Sequence, residues 1–230
     1  LSDNKIDGFE ALVTWNHPTM GLLHPDEYMM HARDSSIVVP IGIWAFKLVC
    51  NQLKQWEESG YKDVNLSYYL STLEFREPDI VETIWDIVNK NNISPENITL
   101  EISESTALDD IEYTILTINK LKELGIKFCL DKFGTKYISI KYINDLPLSS
   151  IKIDKALSKS VLEGTKEQNT LDAIINLIKT YKLDIIVEGV DRKEQELFLR
   201  KTNCDMAQGH VFSMPLLAED TFKLLEEGSI

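Results

Sequence analysis

Short apolar runs alternate with longer segments of helical periodicity along the whole chain, and this alternation most constrains the fold. Runs such as Phe128-Cys129-Leu130 are apolar at successive positions, which is typical of parallel strands buried on both faces. Strands that alternate with helices predict an α/β fold with a parallel sheet covered by helices. The predicted strands are Phe9–Trp15, Val64–Ser67, Ile98–Ser103, Lys127–Asp131, Ser150–Asp154, Asp184–Glu188 and Met206–Gln208.

The predicted helices lie between these strands and indicate a barrel. Because no glycine-rich phosphate loop follows the first strand, a barrel is favoured over a doubly wound open sheet, which remains the competing architecture. At 230 residues the chain is slightly short for a (β/α) barrel, which typically needs about 250 residues. The predicted helices are Pro25–Arg33, Ile41–Ser59, Asp79–Lys90, Asp109–Leu124, Thr170–Tyr181, Arg192–Lys201 and Ala218–Glu227.

Charge and cysteine content exclude several classes of protein. The chain has 37 acidic and 24 basic side chains, and a net charge of −13 argues against a binder of nucleic acid polymers. Its three cysteines are far apart and match neither a disulfide framework nor zinc spacing. Neither a signal peptide nor an apolar stretch long enough to span a membrane is found, so we expect a cytoplasmic domain, free or attached to a membrane anchor.

Polar side chains at the ends of the apolar strands indicate the chemistry. Burying such groups is costly unless they are paired or bind a ligand, and barrel enzymes place their active sites at the carboxyl ends of their strands. Carboxylate and amide oxygens without His or Cys suit Mg²⁺ or Mn²⁺. The set therefore predicts metal-assisted hydrolysis of a phosphate ester. The residues are Asn65, Glu101, Asp131, Lys152, Glu188 and Gln208, with Glu10 early in the remaining strand.

Six short motifs occur in order along the chain: Glu10-Ala11-Leu12, Val64-Asn65-Leu66-Ser67, Leu100-Glu101-Ile102-Ser103-Glu104-Ser105, Ile151-Lys152-Ile153-Asp154, Val187-Glu188-Gly189-Val190 and Gln208-Gly209-His210. At these residues the sequence resembles the EAL domain family, bacterial phosphodiesterases that linearise the second messenger cyclic di-GMP. The resemblance runs from about Asp7 to Phe222 and implies a TIM-type (β/α) barrel.

The resemblance also implies a role for each matched residue. Glu10, Asn65, Glu101 and Asp131 would bind the first Mg²⁺ or Mn²⁺ ion. Lys152 would orient the attacking water, and Glu188 would act as a base or hold the water network. Four further residues would bind substrate or support the site, although Asp154 could equally be a structural partner. These four residues are Leu12, Gln208, Glu104 and Asp154.

Several positions depart from the family pattern. Lys132 replaces an Asp that ligates the second metal ion, and a cation cannot ligate a cation. Thr14 replaces an arginine that contacts the substrate, Lys136 replaces a loop glycine, and Asp191 replaces a glutamate. We therefore expect a degenerate EAL domain with a doubtful second metal site, which binds cyclic di-GMP and hydrolyses it to pGpG weakly or not at all. An active phosphodiesterase and a protein-interaction domain without nucleotide binding are the alternatives.

The resemblance carries expectations about the rest of the protein. In EAL domains a first strand precedes the strand with the EAL triplet, but only nine residues precede Glu10. We therefore expect residues 1–230 to be a single EAL domain, without its first strand, from a longer multidomain protein. The family further implies GGDEF, PAS or sensor domains upstream, and a possible homodimer.

Overall fold

The computed structural model describes residues 1, 4–23, 27, 37–135, 140–159, 161 and 165–228. Within them a curled sheet of seven parallel strands forms the centre of the molecule, and these strands lie side by side in the order in which they follow along the chain. This sheet confirms the predicted α/β fold of the TIM-barrel type. Its strands are β1 (Gly8–Ala11), β4 (Asn65–Tyr69), β5 (Ile98–Ser103), β6 (Lys127–Phe133), β7 (Ser150–Ile153), β8 (Asp184–Val187) and β9 (Met206–Ala207).

A small antiparallel hairpin of strands β2 (Trp15–His17) and β3 (Gly21–Leu23) follows β1. The sequence predicted one strand over Phe9–Trp15, and the structure divides this segment between β1 and the start of the hairpin. The imidazole Nδ1 of His17 accepts hydrogen bonds from the backbone N–H groups of Thr19 and Met20, which fixes the turn. His17 therefore has the structural role in a loop that such contacts provide.

Helices cover the outer face of the sheet. The long helix α1 packs on β4, where the hydroxyl of Tyr68 donates a hydrogen bond to the carbonyl oxygen of Gly42 at 3.0 Å. The predicted helix Pro25–Arg33 lies outside the described residues except for Glu27. The described helices are α1 (Val38–Glu58), α2 (Thr72–Phe75), α3 (Ile80–Asn91), α4 (Glu104–Asp109), α5 (Ile111–Glu123), α6 (Ile140–Asp145), α7 (Lys155–Ser158), α8 (Lys166–Lys179), α9 (Lys193–Leu199) and α10 (Thr221–Glu227).

Three of the short helices begin within three residues of the end of a strand, and the sequence did not predict them as separate elements. Ser71, Ser103 and Asp154 cap α2, α4 and α7, each accepting a hydrogen bond from a backbone N–H of the first turn. These caps turn the chain sharply at the carboxyl ends of β4, β5 and β7. Among the described residues, no helix has the length and apolar character needed to cross a membrane.

Strand register decides which side chains face the inside of the curled sheet. Tyr69 pairs with Glu101, Glu101 pairs with Cys129, and Ser103 pairs with Asp131. Because side chains alternate between the two faces of a strand, these polar residues share the inner face, while Leu100 and its apolar neighbours pack under the helices. The inner face therefore gathers the polar side chains of successive strands at one end.

Candidate functional site

The centre of the site is an ion pair network around the side chain of Lys152. Its Nζ atom donates to both carboxylate oxygens of Glu101, at 2.6 and 2.7 Å, and to Oε2 of Glu10 at 3.0 Å. The side chains of Lys152 and Glu101 are 3% and 1% exposed. The network thus joins β1, β5 and β7 at the inner face of the sheet.

Burial and the neighbouring charges shift the pKa values of Lys152 and Glu10 in opposite directions. Burial disfavours the charged form of Lys152, but the neighbouring carboxylates of Glu101 and Glu10 outweigh it and raise the lysine pKa. Burial would likewise raise the pKa of Glu10, yet the charge of Lys152 and the hydrogen bonds from Gln208 and Lys152 lower it overall. Lys152 therefore stays an ammonium group that neutralises its acidic neighbours.

Gln208 connects the two outermost strands of the sheet. It follows β9 directly, and its Nε2 donates to Oε2 of Glu10 in β1 at 2.7 Å. In the described part of the chain, β1 and β9 each pair with only one other strand, so this contact bridges the two edges. The structure thus places Gln208 in contact with the cluster.

Asp131 and Lys132 lie on a bulge in β6. The register with β7 shifts between Leu130 and Phe133, which places one extra residue on β6. Lys132 takes a left-handed backbone conformation with φ of 59°, and its N–H donates to Oδ1 of Asp131 at 2.7 Å. Asp131 is buried, and that burial raises its pKa. The bulge brings Asp131 to the acidic cluster and leaves Lys132 exposed beside it.

The expected position of Asn65 is corrected by the structure. Asn65 is the first residue of β4 and not close to its carboxyl end. Its Nδ2 donates to Oδ2 of Asp7 at 3.1 Å, and its Oδ1 accepts from Nζ of Lys127 at 2.9 Å. Asp7 directly precedes β1 and Lys127 is the first residue of β6, so both partners lie at the amino ends of their strands. Asn65 is therefore not brought together with Glu10, Glu101 and Asp131.

Tyr69 is the site residue that the sequence analysis missed. It is the last residue of β4, lies opposite Glu101 and is half-buried. The Nζ of Lys132 lies 5.3 Å from the centroid of its ring, within the range of a cation–π contact. Side-chain alternation places Asn65, Ser67 and Tyr69 on one face, and this alternation was the signal that could have found it.

Glu188 and Asp154 follow β8 and β7 directly at the same end of the sheet. Burial raises the pKa of Glu188, with Lys152 acting in the opposite direction and Glu10 adding to the rise. Oδ1 of Asp154 accepts the backbone N–H of Ala156 at 2.7 Å and caps α7. Of the two readings left open for Asp154, the structure favours the structural partner.

The remaining predicted residues surround this cluster or lie away from it. Leu12 and Thr14 are exposed in the segment between β1 and β2, and Lys136 lies outside the described residues. Oδ1 of Asp191 accepts the backbone N–H of His210 at 3.1 Å and so ties together the loops after β8 and β9. Glu104 is buried in the first turn of α4, close behind β5.

The acidic cluster does not fit a divalent metal centre as it stands. Glu10, Glu101 and Asp131 supply suitable oxygen atoms, but the ammonium of Lys152 already binds two of the three carboxylates. In the portion of the chain that is described, no group of three or more His, Cys, Asp or Glu side chains is placed to hold a metal ion. The expected four-ligand site for Mg²⁺ or Mn²⁺ is therefore not assembled.

Comparison with known proteins identifies the family. The sequence model described as the EAL domain matches residues 1–215. The chain belongs to the EAL domain family. This match confirms the resemblance recognised from the motifs.

The EAL domain is similar to several characterised proteins. The bifunctional diguanylate cyclase/cyclic di-GMP phosphodiesterase MucR of Pseudomonas aeruginosa is 32% identical over 212 residues, which are 92% of this chain and 31% of MucR. The chain thus spans about a third of that relative. The solved structure of the PaMucR phosphodiesterase in complex with c-di-GMP superimposes with a TM-score of 0.90 at 31% identity, covering 94% of this chain and 87% of that one. The structure of the EAL enzyme Bd1971, bound to cAMP and cyclic di-GMP, superimposes with a TM-score of 0.90 at 28% identity. The match covers 97% of this chain and 61% of the Bd1971 chain.

Proposed function

We propose that this EAL domain is a cyclic di-GMP receptor that binds the nucleotide at the carboxyl ends of its strands and hydrolyses it to pGpG weakly or not at all. Binding is supported by the likeness to the PaMucR phosphodiesterase solved with c-di-GMP. It is also supported by the joint placement of Glu10, Glu101, Lys152 and Gln208 at that end of the sheet. We propose this ligand for the domain only, since the chain spans about a third of MucR.

The position of Lys132 is the main observation that supports weak or absent hydrolysis. Metal-assisted hydrolysis of a phosphodiester relies on cations that stabilise the attacking and leaving oxygens. Here a lysine follows Asp131, and its ammonium lies against the ring of Tyr69 at the edge of the cluster. Asn65 lies at the far end of β4. The cluster therefore lacks two oxygen ligands that the family pattern implies, which are the amide of Asn65 and the aspartate that Lys132 replaces.

An active phosphodiesterase remains the second candidate, because Lys152 and Glu188 are both present at the site. Lys152 is charged and close to the carboxylates, and burial raises the pKa of Glu188, which makes this carboxylate a better proton acceptor. In an active phosphodiesterase Lys152 would orient the attacking water and Glu188 would accept its proton. Their presence alone does not supply the cations that the leaving oxygen needs.

A binding assay and a product assay on the same preparation separate the candidates. We expect isothermal titration calorimetry to detect saturable binding of cyclic di-GMP, and chromatography to detect little or no pGpG with Mg²⁺ or Mn²⁺. Glu101→Gln is the matched variant that should weaken binding through the cluster. Steady formation of pGpG would establish the phosphodiesterase, and absence of nucleotide binding would favour the protein-interaction domain.

We also propose that this EAL domain is one part of a longer multidomain protein. The name of MucR joins a diguanylate cyclase to a phosphodiesterase, and MucR is about three times as long as the matched segment. This supports a domain that works attached to GGDEF, PAS or sensor domains. Size-exclusion chromatography with light scattering would test whether the domain also forms the expected homodimer.

A further inference from the structure

The mouth of the site carries a cation where the acidic cluster opens to solvent. Lys132 is exposed, and the left-handed conformation at the bulge directs its backbone N–H onto the carboxylate of Asp131. Its ammonium lies 5.3 Å from the centroid of the Tyr69 ring. The other ammonium of the cluster, that of Lys152, is buried below. Two lysines thus supply positive charge at two depths of one site.

We propose that Lys132, held against Tyr69, takes the place of a divalent cation at this mouth, so that the site excludes divalent metal ions and receives a phosphate group on Lys132 itself. The inference rests on the proposed function and adds the group that contacts the phosphate. It also assigns a role to Tyr69, which is to hold the ammonium in position.

Exclusion of metal follows from the contacts that the carboxylates already make. Both oxygens of Glu101 accept from Lys152, and Oε2 of Glu10 accepts from Lys152 and Gln208. Oδ1 of Asp131 accepts the N–H of Lys132. A divalent ion would have to displace these donors and then lie beside two ammonium groups, which repel it.

Lys132 can bind a phosphate group of the ligand because its side chain is exposed to solvent. A chain with a net charge of −13 repels anions, so an anionic ligand needs a local cation at the point of entry. An ammonium group over an aromatic ring is held in place and still presents donors to a ligand. Charge-assisted hydrogen bonds to phosphate are among the stronger contacts available to a lysine.

The first test measures metal binding without the nucleotide. We expect wild-type protein to show no saturable binding of Mn²⁺ by electron paramagnetic resonance, and the double variant Tyr69→Asn with Lys132→Asp to bind Mn²⁺. Asp tolerates a left-handed conformation better than most residues, which favours folding of the variant. Lys47→Asp, on the exposed side of α1, is the matched charge control. Saturable Mn²⁺ binding by the wild type would overturn the inference, whatever the double variant does.

The second test measures the affinity for cyclic di-GMP in EDTA and in excess Mg²⁺. We expect the two affinities to agree within about twofold, and Lys132→Met to weaken binding by about 10-fold or more, as the loss of a hydrogen bond to a charged group predicts. Lys47→Met should bind like the wild type.

The outcomes separate the inference from the proposed function. Binding that requires Mg²⁺, or full affinity in Lys132→Met, would overturn the inference and leave the receptor function in place. If the nucleotide binds under neither condition, the proposed function falls, and the assignment of phosphate contact to Lys132 falls with it.

Discussion

At the scale of single residues, Asn65 and Tyr69 show where the sequence misleads. Val64-Asn65-Leu66-Ser67 resembles a family motif, which led to Asn65 as a metal ligand. In the structure β4 begins at Asn65 and continues to Tyr69, so Asn65 lies about 13 Å below the carboxyl end. An alternating pattern tells which face a side chain takes, but it does not tell where the strand begins.

Replacing Asn65 with Ala tests this position directly. We expect the affinity for cyclic di-GMP to stay within about twofold of wild type, because Asn65 contacts only the amino-terminal end of the sheet through Asp7 and Lys127. The free energy of unfolding in urea should fall by about 1 kcal/mol through the lost hydrogen bonds. A tenfold loss of affinity with unchanged stability would return Asn65 to the site.

At the scale of elements, the ends of helices were predictable where a single residue determines them. Gly60 and Gly125 directly follow the predicted helices Ile41–Ser59 and Asp109–Leu124, where a helix favours a left-handed residue, and both have positive φ, of 97° and 95°. The short helices after β4, β5 and β7 were not predicted, since four to six residues are too few to show a helical period. The bulge in β6 was also missed, because it depends on pairing with β7.

The end of α8 offers a stability test at this scale. Lys182 has φ of 59°, and its N–H donates to the carbonyl of Lys179 at 3.0 Å. Lys182→Gly should raise the free energy of unfolding by about 0.5–1 kcal/mol, because glycine adopts this conformation without a steric penalty. Asn92→Gly, at the left-handed end of α3, is the matched control and should gain less, since Asn tolerates that region. A loss of stability in Lys182→Gly would contradict the argument.

The cap of α2 makes stability depend on pH. Glu74 is buried, its Oε2 accepts the N–H of Ser71 at 2.9 Å, and its Oε1 lies 3.0 Å from the hydroxyl oxygen of Tyr68. Burial raises the pKa of Glu74 above its ordinary value near 4.5. The folded protein therefore keeps the Glu74 carboxyl protonated to a higher pH than the unfolded chain does. The free energy of unfolding consequently falls as pH rises from about 4.5 through the pKa of Glu74 in the folded protein.

The variant Glu74→Gln isolates this contribution. Gln cannot ionise, so the unfolding free energy of the variant should decline less than that of the wild type as pH rises over that interval. Urea denaturation at several pH values measures the difference between the two proteins. Glu77→Gln, at a half-buried position just after α2, is the matched control for replacement of a carboxylate by an amide. Parallel curves for wild type and Glu74→Gln would contradict the assignment.

At the scale of the whole molecule, long-range contacts at the inner face hold together strands that are far apart in sequence. Lys152 lies 142 residues from Glu10 and 51 residues from Glu101, and it bonds to both. The strand order and the end of the sheet that carries these polar residues could be predicted from β–α alternation. The pairing of Lys152 with two carboxylates could not, because it depends on side-chain geometry after the strands have come together.

Replacing Lys152 with Met tests how much the molecule depends on this network. Removal of one partner leaves buried carboxylates without a counter-charge, which typically costs about 3–5 kcal/mol. We expect a loss of that size in urea denaturation near neutral pH, and partial recovery at lower pH, where Glu10 and Glu101 take up protons. The triple variant with Glu10→Gln and Glu101→Gln should be more stable than Lys152→Met alone, because the amides carry no charge. A loss below about 1 kcal/mol in Lys152→Met, with no dependence on pH, would show that the network is solvated and does not hold the strands together.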